Sequence, residues 1–179
     1  MKKILIFATI IMSFLALSVS VHADAKSEIR SKLVSVTSKY TDSSYKIVDI
    51  DKDGKVEGIA EFHAPGYGSA RTFQIYKYKS GKVVRVLNDY VYGLSKFTVY
   101  KKGIIAYGAG HGGEWYRYYK LTNGKYKLKG VKSRVARAGG GAYNGPWAYS
   151  NGKKTITKAA FDSAIKGIKK GKKKTVKPY

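Results

Sequence analysis

The sequence predicts an α+β domain: an antiparallel β-meander of hairpins with an N-terminal and a C-terminal helix. Three observations predict it. Apolar residues recur at helical spacing in a segment after residue 24 and in another after residue 157. Between these, short stretches such as Tyr126-Lys127-Leu128 alternate apolar residues with lysine at the period of a half-buried strand. Glycine turns then punctuate the strands at Asp53-Gly54, Ser80-Gly81, Lys102-Gly103, Asn123-Gly124 and Asn151-Gly152.

The first 23 residues are expected to be a signal peptide. Lys2 and Lys3 precede an uncharged apolar run from Ile4 to Val21, followed by the small-residue site Val21-His22-Ala23, with Ala23-Asp24-Ala25 as a second option. An uncleaved anchor would need the same run to span a bilayer, and polar Thr9, Ser13, Ser18 and Ser20 dilute it. The expected mature protein is secreted, extracellular or cell-wall associated, with no transmembrane segment after processing.

Residues 24–168 are read as a single secreted domain and 169–179 as a basic C-terminal tail. The first helix runs from Asp24 to Tyr40, with Ile29, Leu33, Val36 and Tyr40 on one face. Strands Tyr45 to Ile50 and Val56 to Phe62 flank an acidic turn, and strand and turn continue to about Arg137. The turn glycines lie 27, 22, 21 and 28 residues apart, the length of one hairpin and its link and too irregular for a solenoid. Gly139-Gly140-Gly141 to Pro146 reads as a loop, and Thr157 caps a last helix that buries Phe161, Ala164, Ile165 and Ile168.

Cysteine is absent, which excludes disulfides, a lipid-bearing cysteine and a thiol nucleophile. The charge is +24, and loss of Lys2 and Lys3 leaves +22. Such a field favours polyanions. With 29 lysines to six arginines, attraction is expected to be diffuse rather than bidentate. The expected polyanion-binding set is Lys125, Lys127 and Lys129 on the sheet, with Lys169, Lys170, Lys172, Lys173 and Lys174 in the tail. Anionic wall polymers or polysaccharides are the expected partners, and nucleic acid is the alternative.

The sharpest motif is Asp49-Ile50-Asp51-Lys52-Asp53-Gly54-Lys55-Val56-Glu57. Five of the chain's 11 acidic residues lie between Asp49 and Glu61, and three aspartates at alternate positions repel one another unless a cation sits between them. Hard oxygen donors at this spacing suit Ca²⁺, with side chains from Asp49, Asp51 and Asp53, the backbone carbonyl of Lys55 and a carboxylate from Glu57. The twelfth position holds Ala60 where an EF-hand needs glutamate, and the flanks are strand-like. The segment therefore resembles the Asp-x-Asp-x-Asp-Gly calcium hairpin of FG-GAP and VCBS repeats. Together with FQIYKYKSGKVVRV, WYRYYKLTNGKYKL and ITKAAFDSAI, it is similar to a group of small secreted proteins of low-GC Gram-positive bacteria. That group has no agreed activity, so the resemblance implies location and architecture.

A hydrolase would rest on His111 and Glu114 in Gly110-His111-Gly112-Gly113-Glu114, which could pair as acid and base. No second histidine stands at zinc spacing and no nucleophile elbow occurs, so no catalytic residue is assigned and the chain is read as a binding protein. Tyr116, Tyr118 and Lys120 share one face of a strand and Trp115, Arg117, Tyr119 and Leu121 the other, so one set is core and the other a candidate stacking surface.

Overall fold

A computed structural model describes residues 25–50, 53–63, 65–66, 70–110, 112–135, 145–171 and 174–176. The expected signal peptide, Asp51, His111, Lys172 and Lys173 lie outside the described residues.

Helix α1 covers residues 25–37. A first antiparallel sheet follows in chain order: β1 (Ser43–Val48), β2 (Glu57–Phe62), β3 (Ala70–Lys79) and β4 (Lys82–Tyr92). A second contains β5 (Leu94–Tyr100), β6 (Gly103–Gly110), β7 (Gly113–Thr122), β8 (Lys125–Val135) and β9 (Ala148–Ser150), again in chain order. Helix α2 (Lys158–Ile165) and strand β10 (Lys174–Val176) complete it, β10 pairing with β5 at the sheet's edge. The chain is thus broadly α+β and mostly antiparallel sheet, as expected.

The expected single meander is divided in two at one residue. Gly93 alone separates β4 from β5, with φ at +51° and its carbonyl accepting from Ala109 N at 3.0 Å. A Cβ there would stand 1.9 Å from the Ala109 carbonyl oxygen, so only glycine allows the chain to step from one sheet to the other. Two hairpin turns carry consecutive left-handed residues, Ser80-Gly81 (φ +50° and +76°) and Asn123-Gly124 (φ +51° and +72°). That is the type I′ geometry whose twist matches the flanking strands.

The sheets pack face to face. Ile59, Phe73, Ile75 and Leu87 of the first meet Phe97, Val99, Ile104 and Tyr119 of the second, and Phe73 sits edge-on to Phe97 with centroids 5.0 Å apart. Helix α1 covers the outer face of the first sheet: Ile29 and Leu33 are fully buried against Ala60 and Tyr76, above Gly58, where a Cβ would meet both side chains within 3 Å. Helix α2 covers part of the second sheet's outer face. The Thr157 hydroxyl accepts from Ala160 N at its first turn, and Phe161 lies edge-on to Tyr118 at 5.2 Å. Four layers result, with three apolar seams between them.

Within the segment read as a tail, β10 delivers Val176 into the inter-sheet core. Backbone pairing with Phe97, Thr98 and Val99 makes these residues part of the second sheet.

Candidate functional site

The acidic hairpin joins β1 to β2. The Asp49 Oδ2 accepts from Gly54 N at 3.1 Å and the Asp53 Oδ1 from Lys55 N at 2.9 Å, so both aspartates brace the turn through its own amides. Glu57 is buried: one oxygen accepts from Ile50 N at 2.7 Å and the other pairs with Lys77 Nζ at 2.9 Å. Asp49 and Asp53 offer oxygen donors of the type calcium takes, whereas the Lys77 pair must open before Glu57 can become a ligand. Among the described residues, which omit Asp51, no three histidine or acidic side chains converge on one point.

The expected basic set is distributed over two places. Tyr126 and Leu128 of β8 face the inter-sheet core, so alternation turns Lys125 and Lys127 outward, opposite Thr122 and Lys120. Lys129 sits at a bulge, where Tyr118 pairs with Gly130 and Tyr119 with Leu128. Lys169 and Lys170 are exposed just after α2, and Lys169 Nζ lies 5.8 Å from the Tyr118 ring centroid. Lys174 opens β10.

The sheet register brings together a further group. Lys96 pairs with Tyr107, Tyr107 with Tyr116, Tyr116 with Lys132, and Lys132 with Tyr149, one row across five strands on the outer face. The neighbouring row, Ile105, Tyr118 and Gly130, lies under Phe161, and a Cβ on Gly130 would strike that ring at 2.7 Å. In the Lys96 row no residue is fully buried. The chain returning along β8 lays Trp147 over its end, with Lys132 Nζ 3.7 Å and the Arg134 guanidinium 4.5 Å from the ring centroid. Both approach closely enough for cation–π attraction. Tyr116 stands 5.9 Å from Trp147 and 4.7 Å from Tyr107.

Glu114 anchors this group. It forms a close ion pair with Arg134, its partner across the strands, and its Oε2 accepts from the Tyr107 hydroxyl at 3.3 Å. The carboxylate considered for hydrolysis is therefore nearly buried and neutralised by an arginine. Burial and the nearby Lys169 and Arg134 charges hold the Lys132 pKa below the ordinary lysine value, with Glu114 opposing. Burial, then Glu114, raises the Tyr116 phenol.

Of the two aromatic sets on β7, Tyr119 is fully buried and Trp115 and Leu121 pack against the inter-sheet core. On the other face Tyr118 is covered by α2, and burial pushes its pKa up to about 12. Only Tyr116 of the tyrosine pair is left for a ligand. The residues that complete its surroundings, Lys96, Tyr107, Lys132, Arg134 and Trp147, were not reached from sequence. One signal was present: Lys132 and Arg134 stand two apart in a strand, hence on one face.

Two other charged clusters each pair a partly or fully buried group with an opposite charge. Arg117 binds both oxygens of Asp89 at 2.9 Å, and the Tyr119 hydroxyl donates to Asp89 at 2.8 Å beside a cavity of about 250 Å³ lined also by Arg85, Lys125 and Lys127. At the far end of β2, fully buried Glu61 pairs with Arg71, Arg71 with Asp42 at 2.8 Å, and Asp42 with His63 at 3.2 Å.

No family model, curated protein or solved structure matches the chain significantly.

Proposed function

We propose that the chain is an exported, calcium-stabilised binding domain that attaches to anionic wall polymers or cell-surface polysaccharides. The observation that carries the reading is the partly open row of Lys96, Tyr107, Tyr116 and Lys132 under Trp147, in a chain of net charge +24. Outward-facing Lys120, Lys125 and Lys127 extend the basic surface along the same sheet. Charge of one sign spread over a rigid face draws in polymers of the other sign and gives an affinity set by ion release.

Calcium enters through Asp49, Asp51, Asp53 and Glu57, with the Lys55 carbonyl. Supporting it are the alternate aspartates and the turn at Gly54, whose φ of +84° suits a tight loop. Calcium would neutralise the aspartates and tie β1 to β2, a structural contribution remote in sequence from the basic row.

Titration of a wall polyanion into the protein at several salt concentrations tests the reading. Affinity is expected to fall steeply with salt, and replacing Lys120, Lys125 and Lys127 by glutamine is expected to flatten that dependence. Absence of binding even at low salt would refute it.

A further inference from the structure

The outer row has more than a sum of charges. Cationic side chains crowd this part of the sheet: Lys132 and Arg134 lie against the indole of Trp147 and Lys169 lies 5.8 Å from the Tyr118 ring two positions along β7 from Tyr116, while Glu114 is spent on Arg134. Like charges brought together in partly desolvated surroundings repel, and an anion placed among them removes that repulsion. The rings beside them are inclined rather than parallel, by 45° between Tyr107 and Tyr116 and 59° between Tyr116 and Trp147. Nucleobases stack face to face on aromatic side chains, and two faces inclined by 59° do not hold consecutive bases parallel to one another. A tilted pair instead makes a corner, which suits a ring that presents C–H groups in several directions, as a pyranose does.

We propose that Trp147, Tyr116 and Lys132 form a subsite for one acidic pyranose unit of a polysaccharide, its ring against the two aromatics and its carboxylate on Lys132 beside Lys169. The proposal rests on the anionic-polymer reading above and adds to it a requirement for ring and charge in the same unit. Diffuse lysines on Lys120, Lys125 and Lys127 need only charge. The subsite is therefore the part of binding that survives salt, because short-range stacking and a partly buried contact are screened less than exposed charges.

The experiment compares four probes with the full chain: an oligogalacturonide (ring and charge), poly(glycerol phosphate) (charge alone), dextran (ring alone) and oligo(dT). Each is titrated at low salt and at about 0.5 M salt, where exposed charges are screened. Low-salt binding is expected for every anionic probe, and high-salt binding for the oligogalacturonide. Lys132→Gln and Trp147→Leu are each expected to weaken the high-salt affinity about tenfold, with low-salt binding of poly(glycerol phosphate) nearly unchanged. Lys132→Gln alters a half-buried side chain outside the apolar seams, so an unchanged melting curve assigns its loss to the site even if Trp147→Leu misfolds. If no anionic probe binds at low salt, the polymer reading itself fails. If they bind but high-salt affinity for the oligogalacturonide is absent, or is unchanged from the parent in both variants, the subsite alone is overturned. A Trp147-dependent preference for oligo(dT) overturns it in favour of nucleic acid.

Discussion

Replacing Glu61 by glutamine tests whether a buried carboxylate sets the pH response of the fold. Glu61 is fully buried on β2, and burial raises its pKa from 4.5 to about 7 against the opposing attraction of Arg71. Arg71 is shared with Asp42, whose charge pushes Glu61 up further, and His63 lies 3.2 Å beyond on Asp42. A folded-state pKa above the unfolded one means that the folded chain binds more protons between those values. Stability from this group is therefore complete below about pH 4.5 and is lost as pH rises through about 7. A shift of that size corresponds to about 3 kcal/mol, or about 10 °C in melting temperature for a domain of this length. Urea denaturation of both proteins from pH 4.5 to 8 reads it directly. All other titrating groups are common to the two, so the glutamine variant is expected to gain about 3 kcal/mol relative to the parent across that range. Parallel profiles would show that Glu61 stays ionised throughout, held by Arg71, and would refute the reasoning.

Gly93→Ala is expected to cost at least about 2 kcal/mol, read by thermal melting, because the methyl group meets the Ala109 carbonyl and φ is +51°. Phe161→Ala is expected to cost about 3 to 5 kcal/mol and to bring the Tyr118 phenol down from about 12 toward its ordinary value, visible in a tyrosinate absorbance titration. Lys77→Gln removes the cation 2.9 Å from one oxygen of buried Glu57 and is expected to lower stability while easing that oxygen's entry into the acidic hairpin. Added calcium should then raise its melting temperature more than the parent's, and equal shifts would remove Glu57 from the ligand set. Deleting residues 172–179 takes Val176 from the core and uncovers the β5 edge, at a cost of about 1.5 to 3 kcal/mol. Lys169→Gln with Lys170→Gln should leave melting unchanged, separating the charge of this segment from its role in the sheet.

The hairpins were legible because their turns need particular chemistry. Ser80-Gly81 and Asn123-Gly124 both adopt the left-handed pair that the sequence advertises, Asp53-Gly54 and Lys102-Gly103 fall between paired strands, and Asn151-Gly152 is closed by a single bridge between Ser150 and Thr155. Helix α1 was legible for a similar reason, since Ile29 and Leu33 share one face and one apolar target. The division into two sheets was not. Tyr90, Val91 and Tyr92 run into Leu94 with no break in apolar character, and what sets Gly93 apart from a strand glycine is its φ of +51° and its contact with Ala109, sixteen residues away. The bulge between Ile75 and Tyr76 hid more, because it turns consecutive Val86 and Leu87 both inward where a strict period of two would separate them. β10 was unreadable for a different reason: backbone pairing asks nothing of side chains, and a lysine-rich run carries no strand pattern.

The same distinction explains the site. The acidic hairpin is local, so its spacing could be read within nine residues, although Lys77, which neutralises Glu57, is brought there by the pairing of β2 with β3. The basic row is entirely a product of register. Lys96, Tyr107, Tyr116 and Lys132 are separated by 9 to 16 positions, and each pairing adds one member. How far α2 reaches then decides which row is core. Phe161 needs a flat place to land, Gly130 supplies it, and Ile105 and Tyr118 are consequently sealed. One step along the same face the position of Gly130 is taken by Lys132, whose length and charge keep a helix away and draw the indole of Trp147 over its ammonium group instead. A sheet face that alternates glycine with lysine thus sets its own boundary between buried tyrosine and tyrosine available to a ligand.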